Sequence, residues 1–190
     1  MPEIAKLDTI HEGRARYHIV TVRLPDGSLV RREVEDHGPV ASVLPYDPAR
    51  KLAILVRQFR AGPLLAAGQL QTLECIAGRE DADDRDPATT TRREALEEAG
   101  LRLEMLEPVA SVWSTPGFST ERVALFLAPY SASDRVAEGG GIESEHERIE
   151  VIETPLAELA ALADRGELDD MKTLVLVQTL RLRRPDLFRA

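Results

Sequence analysis

Strand-like and helical patterns of hydrophobic and polar positions succeed one another along this chain. From Tyr17 to Leu24 the sequence YHIVTVRL is rich in β-branched residues and reads as a strand, Pro25-Asp26-Gly27-Ser28 supplies turn chemistry, and Leu29 to Val34 returns as a second strand. A lone hairpin is marginal in water, so this one must pack on something larger. Two more strands, Val40 to Tyr46 and Leu52 to Phe59, flank the turn Asp47-Pro48-Ala49-Arg50. Residues 61–70 read as a small-residue loop, and a short strand follows over Gln71 to Ile76. The first helix is predicted from Asp86-Pro87, an N-cap with proline in the first helical position, to just before Gly100. Strands recur near Val109–Trp113 and Arg122–Leu127, around the loop Ser114-Thr115-Pro116-Gly117-Phe118-Ser119, and a last short one spans Ile149 to Ile152. Thr154-Pro155 should cap a helix reaching about Arg165 and stopped by Gly166, and a final helix runs from about Asp170 to Arg184. Strands dominate the first half and helices close the second. The fold class expected is α+β, a mixed sheet between helices, with residues 1–39 as an N-terminal β-hairpin subdomain and 40–190 as the main domain.

Composition narrows the functional classes. The 190 residues carry 33 acidic and 24 basic side chains, a formal net charge of −9. A phosphate-tracking nucleic-acid binder would need a basic face, so nucleic acid is not expected as a partner. Cys75 is the single cysteine and stands in an apolar run, which excludes an internal disulfide and fits a buried, inert thiol in a reducing cytoplasm. No apolar stretch approaches membrane-spanning length, and Met1-Pro2-Glu3 opens no signal-peptide pattern, so neither a membrane partner nor export is expected.

The densest chemistry lies in Arg92-Arg93-Glu94-Ala95-Leu96-Glu97-Glu98-Ala99-Gly100-Leu101. Glu94 and Glu98 are four residues apart on one helical face, with Glu97 beside them. Three carboxylates this close repel one another unless a positive charge joins them, and hard divalent cations prefer such oxygen ligands. In isolation, a solvated, charge-laced helix face is the first reading of a glutamate-rich helix. The upstream run Leu73-Glu74-Cys75-Ile76-Ala77-Gly78 and the acidic loop to Asp86 change that balance. Together they resemble the Nudix box: a glycine, an acidic residue six positions on, then Arg-Glu-apolar-x-Glu-Glu-x-Gly-apolar. Two departures stand out. Asp84 replaces the usual glutamate, and eight residues rather than seven separate it from Arg93. An inserted loop residue before the helix accounts for the spacing.

A second acidic cluster, Gly139-Gly140-Gly141-Ile142-Glu143-Ser144-Glu145-His146-Glu147, reads alone as a disordered acidic loop; beside a metal-binding helix it offers a general base on a movable arm. With Arg57-Gln58-Phe59-Arg60 and Ser114-Thr115-Pro116-Gly117, it extends the resemblance over nearly the whole chain, toward Nudix hydrolases that cleave nucleoside diphosphate sugars. The triple glycine, Arg-Gln-Phe-Arg and the tail Asp170-Met171-Lys172-Thr173 look like the GDP-mannose branch; ADP-ribose hydrolysis is the alternative substrate reading. A non-catalytic nucleotide-sugar sensor is the alternative of another class, and its sign, loss of the helix glutamates, is not met here.

The resemblance implies a magnesium-dependent pyrophosphohydrolase, with Mn²⁺ as a possible substitute, releasing a nucleoside monophosphate and a sugar phosphate. It implies Glu94, Glu97, Glu98 and the Ala77 carbonyl as metal ligands, and Glu147, or secondarily Glu145, as catalytic base. Arg60 is a candidate pyrophosphate contact, because guanidinium pairs phosphate bidentately; structural duty fits it nearly as well. Glu74 fits an extra ligand or a salt-bridge partner equally. Arg93 is expected to brace the glutamates as an i,i+4 partner of Glu97, and Gly78 to open the box. A homodimer packed through the N-terminal hairpin is implied as well, in which Arg32 would either reach the partner's substrate or remain a solvated strand residue. Trp113 could stack on a base but suits a core position better, as do Tyr46 and Phe59. Four scattered histidines show no zinc spacing.

Overall fold

The eight residues Val40–Asp47 are all buried, which marks a central strand covered on both faces. The computed structural model describes residues 1–142 and 148–189 and divides them into two units, Met1–Val40 with Ser111–Val123, and Ala41–Ala110 with Ala124 onward.

In the first unit, strands β1 (Glu3–Glu12), β2 (Arg16–Arg23) and β3 (Leu29–Asp36) form an antiparallel sheet in that order. The expected hairpin is β2–β3; the additional strand β1 was not anticipated. Its apolar residues Ile4, Leu7 and Ile10 recur every third position, which hides the alternation of a strand. Two register shifts explain this, between Ile4 and Lys6 and between Thr9 and His11. Each inserts one residue and resets the face on which the next side chain appears. All three apolar side chains are more than half exposed.

In the second unit, β4 (Val40–Asp47) and β5 (Leu52–Phe59) are joined by a turn in which Asp47 accepts the backbone N–H groups of Ala49 and Arg50. The sheet order is β10-β5-β4-β9-β8, with β8 at Glu107–Trp113, β9 at Arg122–Pro129 and β10 at Glu150–Pro155. Two short strands, β6 (Gln71–Glu74) and β7 (Ile76–Arg79), pair with β5 and β4 respectively. The single strand expected over Gln71–Ile76 is therefore broken at Cys75, whose backbone N–H turns away to donate to Thr173 Oγ1 at 2.6 Å. Helix α2 (Pro87–Ala99) lies against β5 and β7, with Ala95 and Ala99 in a core shared with Val43, Ile54, Val56, Ile76 and Leu101. Small alanines on the inner face let the helix approach the sheet, so its outer carboxylates are carried on a rigid, closely packed support. Helices α3 (Leu156–Arg165) and α4 (Met171–Arg183) pack on each other, and α3 also meets β10. The architecture is the expected α+β arrangement of a mixed sheet and helices.

Four local expectations are corrected. The small-residue loop 61–70 contains a helix, α1 (Ala61–Ala67), with Pro63 in its first turn, where a missing N–H costs nothing, and Gly68 in the left-handed conformation at its end. Thr154 belongs to β10 and does not cap α3. Phe59, at the end of β5, is 57% exposed rather than core, and Trp113 is 51% exposed, its ring stacked 5.5 Å from the Arg122 guanidinium. Tyr46 is buried as expected, its hydroxyl donating to Glu107.

Candidate functional site

Asp86 caps α2 as its sequence suggests: its carboxylate accepts the Thr89 N–H at 2.7 Å, with Pro87 following in the first turn. The helix ends at Gly100 with φ +65°. Between these caps, Arg93, Glu94, Glu97 and Glu98 are brought together over the last two turns, beside β7.

Each glutamate has a different setting. Glu98 is 3% exposed and accepts the Ala77 N–H at 3.4 Å. Glu94 lies over Gly78 so closely that a β-carbon there would stand 1.8 Å from Glu94 Oε1. Glycine at that position thus lets the carboxylate stay where it is, and a side chain there would displace it. Glu97 is turned toward Arg93. The Arg93 Nη1 donates to Glu94 at 2.8 Å and to Glu97 at 3.0 Å, so the i,i+4 brace anticipated from spacing is present. Its other end does what the sequence left open. Nη2 donates to Asp84 at 3.0 Å and to the Arg79 carbonyl at 2.9 Å, and lies 3.4 Å from Asp81. Asp84 also accepts from Thr90 Oγ1 and the Asp81 N–H, and is 6% exposed at the side chain. The Arg93 bond, acting against burial, holds its carboxyl below the usual range, and those carboxylates in turn hold Arg93 charged.

Among the described residues, no three acidic, histidine or cysteine side chains converge as a preformed metal cage. The guanidinium of Arg93 draws Glu94 and Glu97 instead. The donor set still fits a hard divalent cation: carboxylate oxygens on one rigid helix, one of them nearly fully buried, with a glycine cradle that keeps space beside Glu94.

Three glycines connect this helix to the second acidic cluster. Gly140 N–H donates to the Glu98 carbonyl at 2.9 Å and Gly141 N–H to the Glu97 carbonyl at 3.2 Å, and all three glycines have positive φ. The segment 139–141 is therefore docked on the end of α2. The returning chain is fixed too, with the Ile149 N–H bonded to the Gly140 carbonyl at 3.2 Å. Glu145 and Glu147, the candidate bases, lie outside the described residues; the chain leaves and re-enters them next to the helix that carries Glu97 and Glu98.

Beside Cys75, a polar network joins β6 to α4. Arg60 donates bidentately to Glu74 at 2.7 and 2.8 Å, Thr72 Oγ1 donates to the same carboxylate, and Lys172 Nζ lies 3.6 Å away. The salt-bridge partnership anticipated for Glu74 is present, and the bidentate contact of Arg60 is with protein. Burial pushes the Glu74 carboxyl up, but the bonds and charge of Arg60 with the charge of Lys172 outweigh it and hold the group below its usual range. Lys172 also contacts Asp170 at 2.6 Å, and Asp170 caps α4 by accepting the Thr173 N–H at 2.9 Å. Lys172, part of the tail motif, was given no individual role by sequence. Cys75 is fully buried in this network, and burial pushes its thiol up to about 12, in keeping with an inert side chain. Arg32 lies on β3 in the first unit, exposed, its Nη1 donating to the neighbouring Arg31 carbonyl at 2.9 Å.

Comparison with known proteins decides the family: the model of the NUDIX domain matches residues 36–175. The chain belongs to the Nudix family. Among curated Nudix relatives, a GDP-mannose pyrophosphatase of Cronobacter sakazakii is 40% identical over 163 residues, 83% of this chain and 82% of that one. One from Escherichia coli O1:K1 is 36% identical over 160 residues, with the same coverage. A solved structure titled as an ADP compounds hydrolase superposes with a TM-score of 0.77 over 100% of this chain and 97% of that one, at 18% identity, which speaks to the fold. Membership and these relatives mark the chain as an enzyme, and the reading as a non-catalytic sensor is set aside.

Proposed function

We propose that this Nudix enzyme hydrolyses the pyrophosphate bond of a nucleoside diphosphate sugar, with GDP-mannose as the preferred substrate, in a reaction dependent on Mg²⁺ or Mn²⁺. The observation that carries the reaction class is the row of carboxylates on α2 over the Gly78 cradle. The sugar is carried by the relatives' names and by the tail motif whose Lys172 and Asp170 sit in the polar network. ADP-ribose is the second substrate, favoured only by fold-level likeness.

In this reading Glu94, Glu97, Glu98 and the Ala77 carbonyl hold the cation, which when bound neutralises pyrophosphate charge and lowers the pKa of the attacking water. Arg93 keeps two of those carboxylates in register on the helix. Glu147, carried on the loop anchored by Gly139–Gly141, orients the water and takes its proton, with Glu145 as the alternative base. Arg60 neutralises a phosphate oxygen while its other edge stays on Glu74, which fixes the guanidinium plane in advance. Phosphoryl transfer needs such placement and charge neutralisation more than covalent help. The protein acts as a cytoplasmic homodimer built on the first unit, whose β1 presents Ile4, Leu7 and Ile10 to solvent and whose β3 carries Arg32 toward a partner's substrate.

The test is Glu98→Gln. Loss of metal-dependent turnover with an unchanged circular dichroism spectrum is expected; retained activity at saturating Mg²⁺ would remove Glu98 from the ligand set. Glu147→Gln should cut turnover while sparing metal binding, and a larger loss in Glu145→Gln would move the base to Glu145.

A further inference from the structure

Asp84 is the residue at which this chain departs from the pattern of its family, with one extra residue between it and Arg93. The structure nevertheless brings its carboxylate to Arg93 Nη2 at 3.0 Å, and fixes the same oxygen with Thr90 Oγ1 at 2.9 Å and the Asp81 N–H at 3.0 Å. Thr90 lies in the first turn of α2, so the loop is tied to the helix that carries the glutamates. The guanidinium is divided by its geometry: Nη2 faces Asp84, Asp81 and the Arg79 carbonyl, Nη1 faces Glu94 and Glu97. Among the described residues, Arg93 Nε is buried without a hydrogen-bond partner, so it is the two ends of the group that hold it there. One positive charge is thus shared between the loop aspartates and two helix carboxylates that a metal would claim.

We propose that Asp84 is a positioning residue that sets the divalent-cation affinity of α2 by engaging one end of Arg93 and so limiting how strongly the other end neutralises Glu94 and Glu97. This rests on the assignment of those glutamates as metal ligands. Without the Asp84 charge, the guanidinium keeps its neighbours but has fewer anions to share, and Glu94 and Glu97 hold it more tightly against an incoming cation. Asp84 itself touches neither metal nor substrate.

The experiment is a Mn²⁺ titration, read by the electron paramagnetic resonance signal of free ion, on wild type, Asp84→Asn, Asp84→Glu, Arg93→Met and the Asp84→Asn/Arg93→Met double variant, with thermal melts in chelator. Asp84→Asn should raise the Mn²⁺ Kd about tenfold, the lower end of what second-layer partners of metal ligands contribute. Asp84→Glu, which restores the charge, should return the Kd to within about threefold of wild type. In the Arg93→Met background the asparagine substitution should add nothing, because the two residues act through one contact. Where Arg93→Met does not fold, Arg93→Lys, a point charge without the two-ended fork, should shrink the effect of Asp84→Asn to less than half. An unchanged Kd with a lowered Tm in Asp84→Asn would make Asp84 a structural brace and overturn the proposal. An undiminished loss in the Arg93 background would also overturn it, placing Asp84 in direct action on the cation. Wild type that binds no Mn²⁺ would overturn both this proposal and the ligand assignment beneath it, whereas wild-type binding indifferent to Asp84 overturns the proposal alone.

Discussion

At Gly78, a methyl group is enough to separate stability from function. A β-carbon there meets the far end of the flexible Glu94 side chain, not backbone, so the carboxylate can swing away at small cost. Gly78→Ala should change thermal stability by less than about 1 kcal/mol, yet weaken Mg²⁺ binding and depress turnover. A large fall in Tm with normal metal binding would show that the backbone, not Glu94, needs the glycine. Glu74 gives the opposite separation. Its folded pKa lies below the value near 4.3 of an unfolded chain, because Arg60 and Lys172 overcome the effect of burial. Its stabilising contribution is therefore complete above that unfolded value and is lost as the pH falls through the folded one. Glu74→Gln should cost roughly 2 kcal/mol at neutral pH, less than the ~3–5 kcal/mol of a fully buried broken pair because the Arg60 head is partly solvated. It should also flatten the acid limb of Tm against pH. Parallel curves for wild type and variant would contradict the assignment. The role of each of these residues is local and was half legible in sequence: the glycine opens a recognisable box, whereas Glu74 admitted two roles, of which the grip of Arg60 makes the salt bridge visible.

At the scale of elements, α2 was legible almost to the residue because every signal agrees, from the Asp86 cap and Pro87 to the αL glycine at position 100. Strand β1 was hidden for the opposite reason: its two bulges turn an alternating pattern into one of period three. Helix α1 buries no side chain, so no periodicity announces it, and its glycine and proline read as loop. In the glycine-rich segment, composition alone does not distinguish freedom from close approach. Gly139 has φ +77°, and a β-carbon there would lie 2.5 Å from the Glu98 carbonyl oxygen and 2.7 Å from Ala99 Cα. Both obstacles are backbone of α2 and cannot step aside. Gly139→Ala should therefore cost about 1–3 kcal/mol and, if the proposed base follows this segment, lower kcat by shifting it off the helix end. Unaltered Tm and kcat would mean that the docking of this segment is dispensable.

At the scale of the whole molecule, the acidic balance of −9 means that the proposed reaction needs a cation and a few arginines to receive a pyrophosphate. The row Ile4, Leu7 and Ile10 on β1 fits an interface between two copies. Leu7→Lys should convert a dimer to a monomer in sedimentation velocity without unfolding the chain; a wild type that sediments as a monomer would remove the interface and with it the role given to Arg32. Sequence motif and relatives fix the family, but the sugar is a property of pockets that no single residue announces, and it is settled by turnover. The most direct measurement is product formation from GDP-mannose and ADP-ribose side by side, with Mg²⁺ and with chelator. The account predicts metal-dependent release of GMP and mannose 1-phosphate at the faster rate, abolished by chelation. Turnover of neither substrate, or turnover that survives the chelator, would contradict it.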